Sequence, residues 1–246
     1  MGDRLKLATV AAAAAATVVL SACGSAGQSP SASGSASAPP GASPAAAPRS
    51  AAATITSMKL AVRAATSVHL NGTLTGTGSA TIGLDVGLTR SSGFSGTVTQ
   101  GGGIPLTIVD ADGKVYILAT RAFLAELNVP AAVCSVMCGK YVAMSPAKGD
   151  ALAAQLAMSQ MLQSVTGSLP AFTNAGTRTI NGRRAQVLHG ADGSTLAVAA
   201  TGAPYPVEAI SPSGGRGGIA FSRWNSVPKP VAPPASQVID LSKLGG

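Results

Sequence analysis

The stretch Thr81-Ile82-Gly83-Leu84-Asp85-Val86-Gly87-Leu88-Thr89 decides the fold class of this chain. Its aliphatic side chains alternate strictly with small or polar ones, which is the period of two typical of an amphipathic β-strand. Because successive side chains of a strand point to opposite faces of the sheet, the segment predicts one apolar face and one polar face. The apolar face of such a sheet needs a second layer to cover it.

Segments on both sides of this stretch share the strand pattern. Residues 68–74 precede it, and residues 94–100, 104–109 and 114–119 follow it. Asp112-Gly113 lies between the last two of these and is a strong hairpin-turn signal. The region therefore predicts an antiparallel meander.

Helical patterns and a second β region complete the domain. Helices are predicted over residues 54–65, 120–127 and 147–165, and a second β region begins near Arg178. Its strands are residues 185–189, 194–200, 207–211 and 219–224, and a proline-rich tail then runs extended along the surface. Together, these helices and strands predict an α+β domain, with one large antiparallel sheet and helices grouped on one face.

Glycines share the apolar parity in several strands, namely at Gly72, Gly76 and Gly96. Glycine inside a strand often marks a bend or a close backbone approach, which favours a curved sheet. The concave apolar face of such a sheet could hold acyl chains, since ligand sites are concave and mostly apolar. The alternative is a general bias toward small residues, since the chain holds 30 glycines.

The N-terminal segment has the form of a lipoprotein signal. Arg4 and Lys6 precede an uncharged apolar run over residues 7–20, which is shorter than the roughly 20 residues of a membrane-spanning helix. Leu20-Ser21-Ala22-Cys23 then predicts a lipobox: residues 1–22 are removed and Cys23 carries acyl chains such as palmitate. Two or three chains anchor a protein stably. The alternative is an ordinary signal peptide cut near Ala22.

This signal sets the expected organisation and location. Residues 23–52 form the lipidated cysteine and a Ser, Ala, Pro and Gly tether, too poor in apolar residues to fold. Residues 53–246 form the domain. We therefore expect an extracytoplasmic protein anchored to the cell membrane.

The net charge of +8 raises the question of nucleic-acid binding. The basic residues are scattered, only Arg183 and Arg184 are adjacent within the domain, and aromatic residues are 3% of the chain. Stacking platforms for bases are therefore not expected. A basic surface that favours anionic lipid head groups or wall polymers is the better interpretation.

Two cysteines lie in the irregular segment between Pro130 and Gly139. Cys134 and Cys138 are predicted to form a disulfide, as expected in an oxidising compartment. Free thiols and a metal site are the alternatives, although neither His69 nor His189 is close in sequence to complete a ligand set. No metal and no cofactor are predicted.

The sequence does not favour an enzyme. Neither a Gly-x-Ser-x-Gly elbow nor a His-Glu-x-x-His helix is present, and Asp110, Asp112 and Asp192 fall at predicted turns. His69 falls on the polar side of its strand, where a surface role is the commoner one. A binding protein is expected instead.

The ordered set of features resembles the LppX/LprAFG lipoproteins of mycobacteria and other actinobacteria. The similarity begins with the lipobox and tether and covers residues 54–244. The segments that carry it are Ala65-Thr66-Ser67-Val68-His69-Leu70, Val109-Asp110-Ala111-Asp112-Gly113-Lys114-Val115-Tyr116, Lys140-Tyr141-Val142, Gly202-Ala203-Pro204-Tyr205-Pro206 and Phe221-Ser222-Arg223-Trp224-Asn225. The pair Cys134 and Cys138 has no counterpart in that pattern.

The resemblance implies a strongly curved half-barrel sheet, with helices on one side and an apolar cavity. It implies a carrier of acylated lipid or glycolipid across the cell envelope. The protein partner stays open. The alternative is a non-carrier envelope lipoprotein, a structural or signalling module that contacts wall polymer or a partner protein. If the cavity carries over, its lining would be Val68, Leu70, Leu74, Ile82, Leu84, Val86 and Ile108.

Overall fold

The computed structural model describes residues 49–75, 81–101, 103–167, 169–212 and 217–240. The predicted signal peptide, Cys23 and all but the last four residues of the tether lie outside these ranges, as does Gly76.

The domain is built on one curved, open sheet of twelve strands. Their spatial order is β12-β6-β5-β4-β3-β2-β1-β11-β10-β9-β8-β7. The strands are β1 Ser67–Thr75, β2 Thr81–Thr89, β3 Gly93–Gln100, β4 Leu106–Ala111, β5 Lys114–Leu118, β6 Tyr141–Ala143, β7 Phe172–Ile180, β8 Arg183–Gly190, β9 Thr195–Ala199, β10 Pro206–Ile210, β11 Gly218–Ser222 and β12 Val238–Asp240.

Five α-helices connect or cover these strands in the described part of the chain: α1 Ala51–Ala64, α2 Arg121–Glu126, α3 Cys134–Met137, α4 Pro146–Leu156 and α5 Met158–Thr166. Short 3-10 turns occupy Ala131–Val133 and Ala235–Gln237. The side chain of Ser50 caps α1 by accepting from the Ala53 N–H, and Arg90 donates to the carbonyls of Val62, Arg63 and Ala65 at the other end.

The main core lies between the helices and one face of the sheet, here called the inner face. Met58 and Val62 of α1, Leu156 of α4, and Met161 and Leu162 of α5 are buried against it. The sheet contributes alternate residues of its strands, as period-two patterning requires. This arrangement confirms the predicted α+β class, the curved sheet and the helices on one side.

The prediction of a wholly antiparallel sheet needs a correction. β12 pairs with β6 in parallel, with Val238 opposite Tyr141. The tail reaches that edge across the other face, here called the outer face: the Val227 N–H donates to Ser67 Oγ, and Lys229 Nζ lies 3.7 Å from Asp112 Oδ1. After crossing the outer face, the tail runs beside β6 in the same direction as that strand. β12 therefore pairs with β6 in parallel.

The predicted helix over residues 147–165 is two helices, because Ala157 adopts an extended conformation. Leu156 and Met158 flank this break and are both buried, at 9% and 2% exposure. In a continuous helix, residues two apart point about 200° away from each other. The break lets both side chains reach the sheet.

Gly72 and Gly96 lie where the backbone of a neighbouring strand approaches closely. Gly72 pairs with Leu84 and Gly96 pairs with Val86, both of which face inward. Their φ angles of +142° and +153° are rarely adopted by other residues. A Cβ on Gly72 would overlap the carbonyl oxygen of Gly218 on the neighbouring strand. Backbone geometry therefore requires glycine at these positions.

Candidate functional site

A pocket of about 270 Å³ opens at one end of the inner face. It lies where the last turn of α5 passes the ends of β1, β9, β10 and β11. The apolar part of its wall is slightly more than half and includes Leu74, Val165, Leu169, Phe172, Ala209 and Ile219.

The pocket wall is continuous with the main core. Leu196 and Ile219 belong to both, and Leu74, Val165 and Phe172 pack against the core from the pocket side. Ala209 pairs with Ile219 across β10 and β11. Its small side chain leaves part of the space that a larger residue would fill. The pocket is thus an opening into the layer between helices and sheet.

The mouth of the pocket carries hydroxyl groups and one carboxylate. Thr73, Ser194, Thr195 and Ser211 are among the lining residues, together with Asp192. The Ser194 hydroxyl donates to Asp192 Oδ1 at 2.6 Å, and the Ser194 N–H donates to the same oxygen at 2.9 Å. The hydroxyl bond first, and then the N–H bond, lower the pKa of Asp192. This carboxylate therefore stays charged at neutral pH.

The seven side chains predicted to line a cavity share the inner face, but most belong to the packed core. Five of them are at most 4% exposed and contact the core cluster that α1, α4 and α5 complete. Leu74 lines the pocket, and Ile82 packs at the margin of the core. The fully buried five are Val68, Leu70, Leu84, Val86 and Ile108.

His69 lies in a row of polar side chains on the outer face. Its Nε2 is 2.8 Å from Asp85 Oδ1, and its Nδ1 is 3.3 Å from Ser222 Oγ. The Asp85 side chain is 61% exposed, and the row spans three neighbouring strands. These features describe a solvated cross-strand network. Sequence reasoning missed it because Asp85 and Ser222 are far from His69 along the chain.

The second histidine does not join the first. His189 lies on β8, with Nδ1 3.3 Å from Thr195 Oγ1. Four strand spacings separate β8 from β1, which is about 19 Å at the usual spacing. Within the described ranges, no group of His, Cys, Asp and Glu side chains could hold a metal ion.

Cys134 and Cys138 are joined by a disulfide, with their Cα atoms 4.7 Å apart. The bond closes the short turn of α3, and Cys134 is buried against Ala119 and Leu124. Leu127 and Val136 remain 57% and 63% exposed close to it in sequence.

Three of the segments that carry the family resemblance meet at Asn225. The Asn225 Oδ1 accepts from the Thr66 N–H and its Nδ2 donates to the Tyr205 hydroxyl. The Tyr205 ring stacks on Trp224, with centroids 4.5 Å apart. Trp224 Nε1 donates to the Pro206 carbonyl. These residues act structurally, by joining β1, β10 and β11 at one end of the sheet.

Comparison with known proteins gives a likeness in structure alone: no family model and no curated protein matches the chain. LprF from Mycobacterium bovis superposes with a TM-score of 0.51 at 15% identity, over 75% of this chain and 96% of LprF. LppX, a Mycobacterium tuberculosis lipoprotein, superposes with a TM-score of 0.44 at 15% identity, over 71% of this chain and 94% of LppX. MucB in complex with MucA superposes with a TM-score of 0.32 at 17% identity, over 76% of this chain and 58% of the MucB structure.

The likeness to LprF confirms the predicted LppX/LprAFG resemblance at the level of the fold. Among the helices in the described ranges, none has the length and hydrophobicity needed to span a membrane.

Proposed function

We propose that this protein is an extracytoplasmic lipoprotein, anchored through Cys23, that binds an acyl chain of a lipid or glycolipid between α5 and the inner face. The observation that carries the proposal is the apolar pocket at the strand ends, continuous with the apolar layer behind it. The predicted lipobox supports the anchor. The LprF-like fold and the family resemblance support the ligand class.

Binding would be driven by removal of acyl methylene groups from water, at about 0.8 kcal/mol for each buried CH₂. The pocket of about 270 Å³ is slightly smaller than usual ligand sites, which span about 300–1,000 Å³. It suits the end of one acyl chain.

A larger ligand would need the α4–α5 pair to move away from the sheet. The pair begins after Ser145 and ends at Gly167, and the extended residue Ala157 lies between its two helices. Ser164 and Thr166 of α5 donate to carbonyls of their own helix. α1, by contrast, is bonded to the sheet through Thr54 and Gln186. Opening α4–α5 would bring the predicted lining residues, such as Leu84 and Val86, into contact with the ligand.

The mouth favours a head group rich in hydroxyls. Asp192 accepts hydrogen bonds, and the Ser211 hydroxyl can both donate and accept them. A phosphate beside the charged Asp192 would be repelled. This polar rim supports a glycolipid over an acidic phospholipid as the bound molecule, with transport across the envelope as the biological role.

Titration with a dansyl-labelled fatty acid tests the proposal. Ala209→Phe fills the pocket, and we expect it to weaken probe binding at least tenfold. Ala220→Phe is the matched control: Ala220 lies opposite Glu208 on the neighbouring strand and points to the outer face. It should leave binding unchanged, with both variants folded by circular dichroism. Equal binding by all three proteins, or none by the parent protein, would exclude the pocket as an acyl site.

A second candidate function is a non-carrier envelope module that contacts a partner protein. The exposed Leu127 and Val136, close to the Cys134–Cys138 disulfide, favour it. Exposed aliphatic side chains on a rigid segment are typical of contact surfaces. This module would bind no acyl probe.

A further inference from the structure

The β7–β8 hairpin forms one edge of the sheet and carries three exposed arginines, Arg178, Arg183 and Arg184. No acidic residue occurs in the sequence from Ala151 to Ala191. In the part of the chain that the structure describes, no carboxylate pairs with these arginines. We refer to the three residues as the hairpin arginines. Their charge is therefore available to a partner.

The strand register places the hairpin arginines on both faces of the hairpin. Arg178 pairs with Ala185, and Arg183 pairs with Ile180. Ala185 and Ile180 belong to the small apolar cluster of the outer face. Arg184, next to Arg183, points to the inner face. Because positive charge lies on both faces of the hairpin, the hairpin tip is suited to contact an extended anionic surface.

The chain enters the domain beside the same hairpin. Gln186 Nε2 donates to the Arg49 carbonyl at 2.8 Å, and Asn174 Nδ2 donates to it at 3.4 Å. Gln186 is two residues from Arg184 and shares its face. The point where the predicted tether joins the domain is therefore next to the hairpin arginines.

The same end of the sheet holds further arginines, and the pocket lies at the other end. Arg63 and Arg90 adjoin the start of β1, Arg223 follows β11, and the register brings these positions to the hairpin end. The Arg90 guanidinium is engaged by carbonyls of α1, so the hairpin is the more available cluster. Asp192, by contrast, is at the pocket mouth.

We propose that the hairpin arginines dock the anchored domain onto the anionic phospholipid head groups of its own membrane. The inference rests on the proposed lipid anchor. A polar chain of about 25 residues has a root-mean-square span of about 25–30 Å, so the predicted tether would make docking an intramolecular event at high effective concentration. Each arginine near an anionic surface strengthens the contact about fivefold. Docking in this orientation turns the pocket mouth away from the membrane.

The test uses the full lipidated chain, reconstituted into vesicles of phosphatidylcholine alone or mixed with phosphatidylglycerol. A fluorophore on Thr179→Cys reports the distance of the hairpin from a head-group quencher. We expect quenching in the phosphatidylglycerol vesicles, little in pure phosphatidylcholine, and a loss of quenching at high salt. Arg178→Gln/Arg183→Gln/Arg184→Gln should lower the ratio of docked to undocked protein about 100-fold.

The matched control removes the same charge elsewhere. Lys114→Gln/Arg121→Gln/Lys140→Gln changes three exposed residues at or next to β5 and β6, near the opposite edge of the sheet, and should leave quenching unchanged. Equal loss in both triple variants, or equal quenching in both vesicle types, would overturn the proposal. Quenching that persists in the hairpin variant would overturn it as well.

Vesicle flotation separates this proposal from the proposed anchor. A protein that floats without quenching contradicts the docking alone. If Cys23→Ala floats with pure phosphatidylcholine vesicles as well as the parent protein, the lipid anchor itself is contradicted.

Discussion

At the residue scale, Asp110 is an acidic side chain whose surroundings disfavour its ionised form. It lies on the inner-face parity of β4, opposite Phe94, and α4 brings Asp150 near it. Partial burial first, and the charge of Asp150 second, raise the pKa of Asp110 above its ordinary value of 3.8. The ionised carboxylate is therefore less stable in the folded state than in the unfolded chain.

The sign of this shift gives a prediction for stability against pH. A raised pKa in the folded state lowers the free energy of unfolding once the carboxyl ionises. Asp110→Asn should therefore raise the midpoint of thermal unfolding at pH 7. The gain should shrink as the pH falls through the folded pKa of Asp110 and should vanish below 3.8, where both states are protonated.

Asp112→Asn is the control for this experiment, since Asp112 is exposed at a turn and lies 3.7 Å from Lys229. It should produce no such gain. A gain from Asp110→Asn that is independent of pH would assign the effect to packing rather than to charge.

The structural role of a residue was predictable only where a local sequence pattern indicates it. The inward parity of Gly72 and Gly96 indicated a bend or a close backbone approach, and the structure shows the close approach. The bonds of Asn225 to Thr66 and Tyr205 were not predictable. They join residues distant along the chain, and their geometry exists only once the strands have paired.

At the element scale, the strongly alternating strands were predictable and the weakly patterned ones were not. β7 shows no alternation over Asn174–Gly176, because an edge strand exposed on both faces has no reason to segregate apolar residues. β12 has three residues and owes its pairing to the path of the tail. The break between α4 and α5 follows from burial of Leu156 and Met158, which only the sheet beneath them demands.

The close approach of the Gly218 carbonyl to Gly72 gives a prediction for β1. Gly72→Ala should lower the free energy of unfolding by about 1–3 kcal/mol, because φ is +142° and the new methyl group would overlap the Gly218 carbonyl. Gly218→Ala, on the facing strand, is the matched control. Its Cβ would meet its nearest neighbour at 3.5 Å, so it should cost less than about 1 kcal/mol. Chemical denaturation measures both, and equal costs would contradict a backbone conformation that requires glycine at position 72.

At the scale of the whole molecule, the curved sheet with helices on one side was predictable, whereas the volume left between them was not. An inward row such as Leu84, Val86 and Leu88 has the same sequence whether helices or a ligand cover it. Side-chain packing decides between them, and here α1, α4 and α5 fill most of the space. One opening in the described part of the chain lies at the strand ends beside Ala209, and another lies between α1 and α5, beside Lys59 and Gln163.

The ends of the molecule differ in chemistry. The hairpin end carries arginines and the point where the chain enters, and the other end carries the pocket and Asp192. This polarity arises from the antiparallel order of the strands, which collects alternate turns at each end of the sheet. Anchoring and ligand binding can thus occupy separate surfaces.

Native mass spectrometry of the lipidated protein, released gently from the membranes of cells that produce it, would detect the proposed ligand. We expect a bound lipid in addition to the covalent anchor, present on the parent protein and on Ala220→Phe but depleted on Ala209→Phe. A parent protein that carries only its covalent anchor, or an Ala209→Phe variant that retains the full complement of bound lipid, would contradict the proposed function.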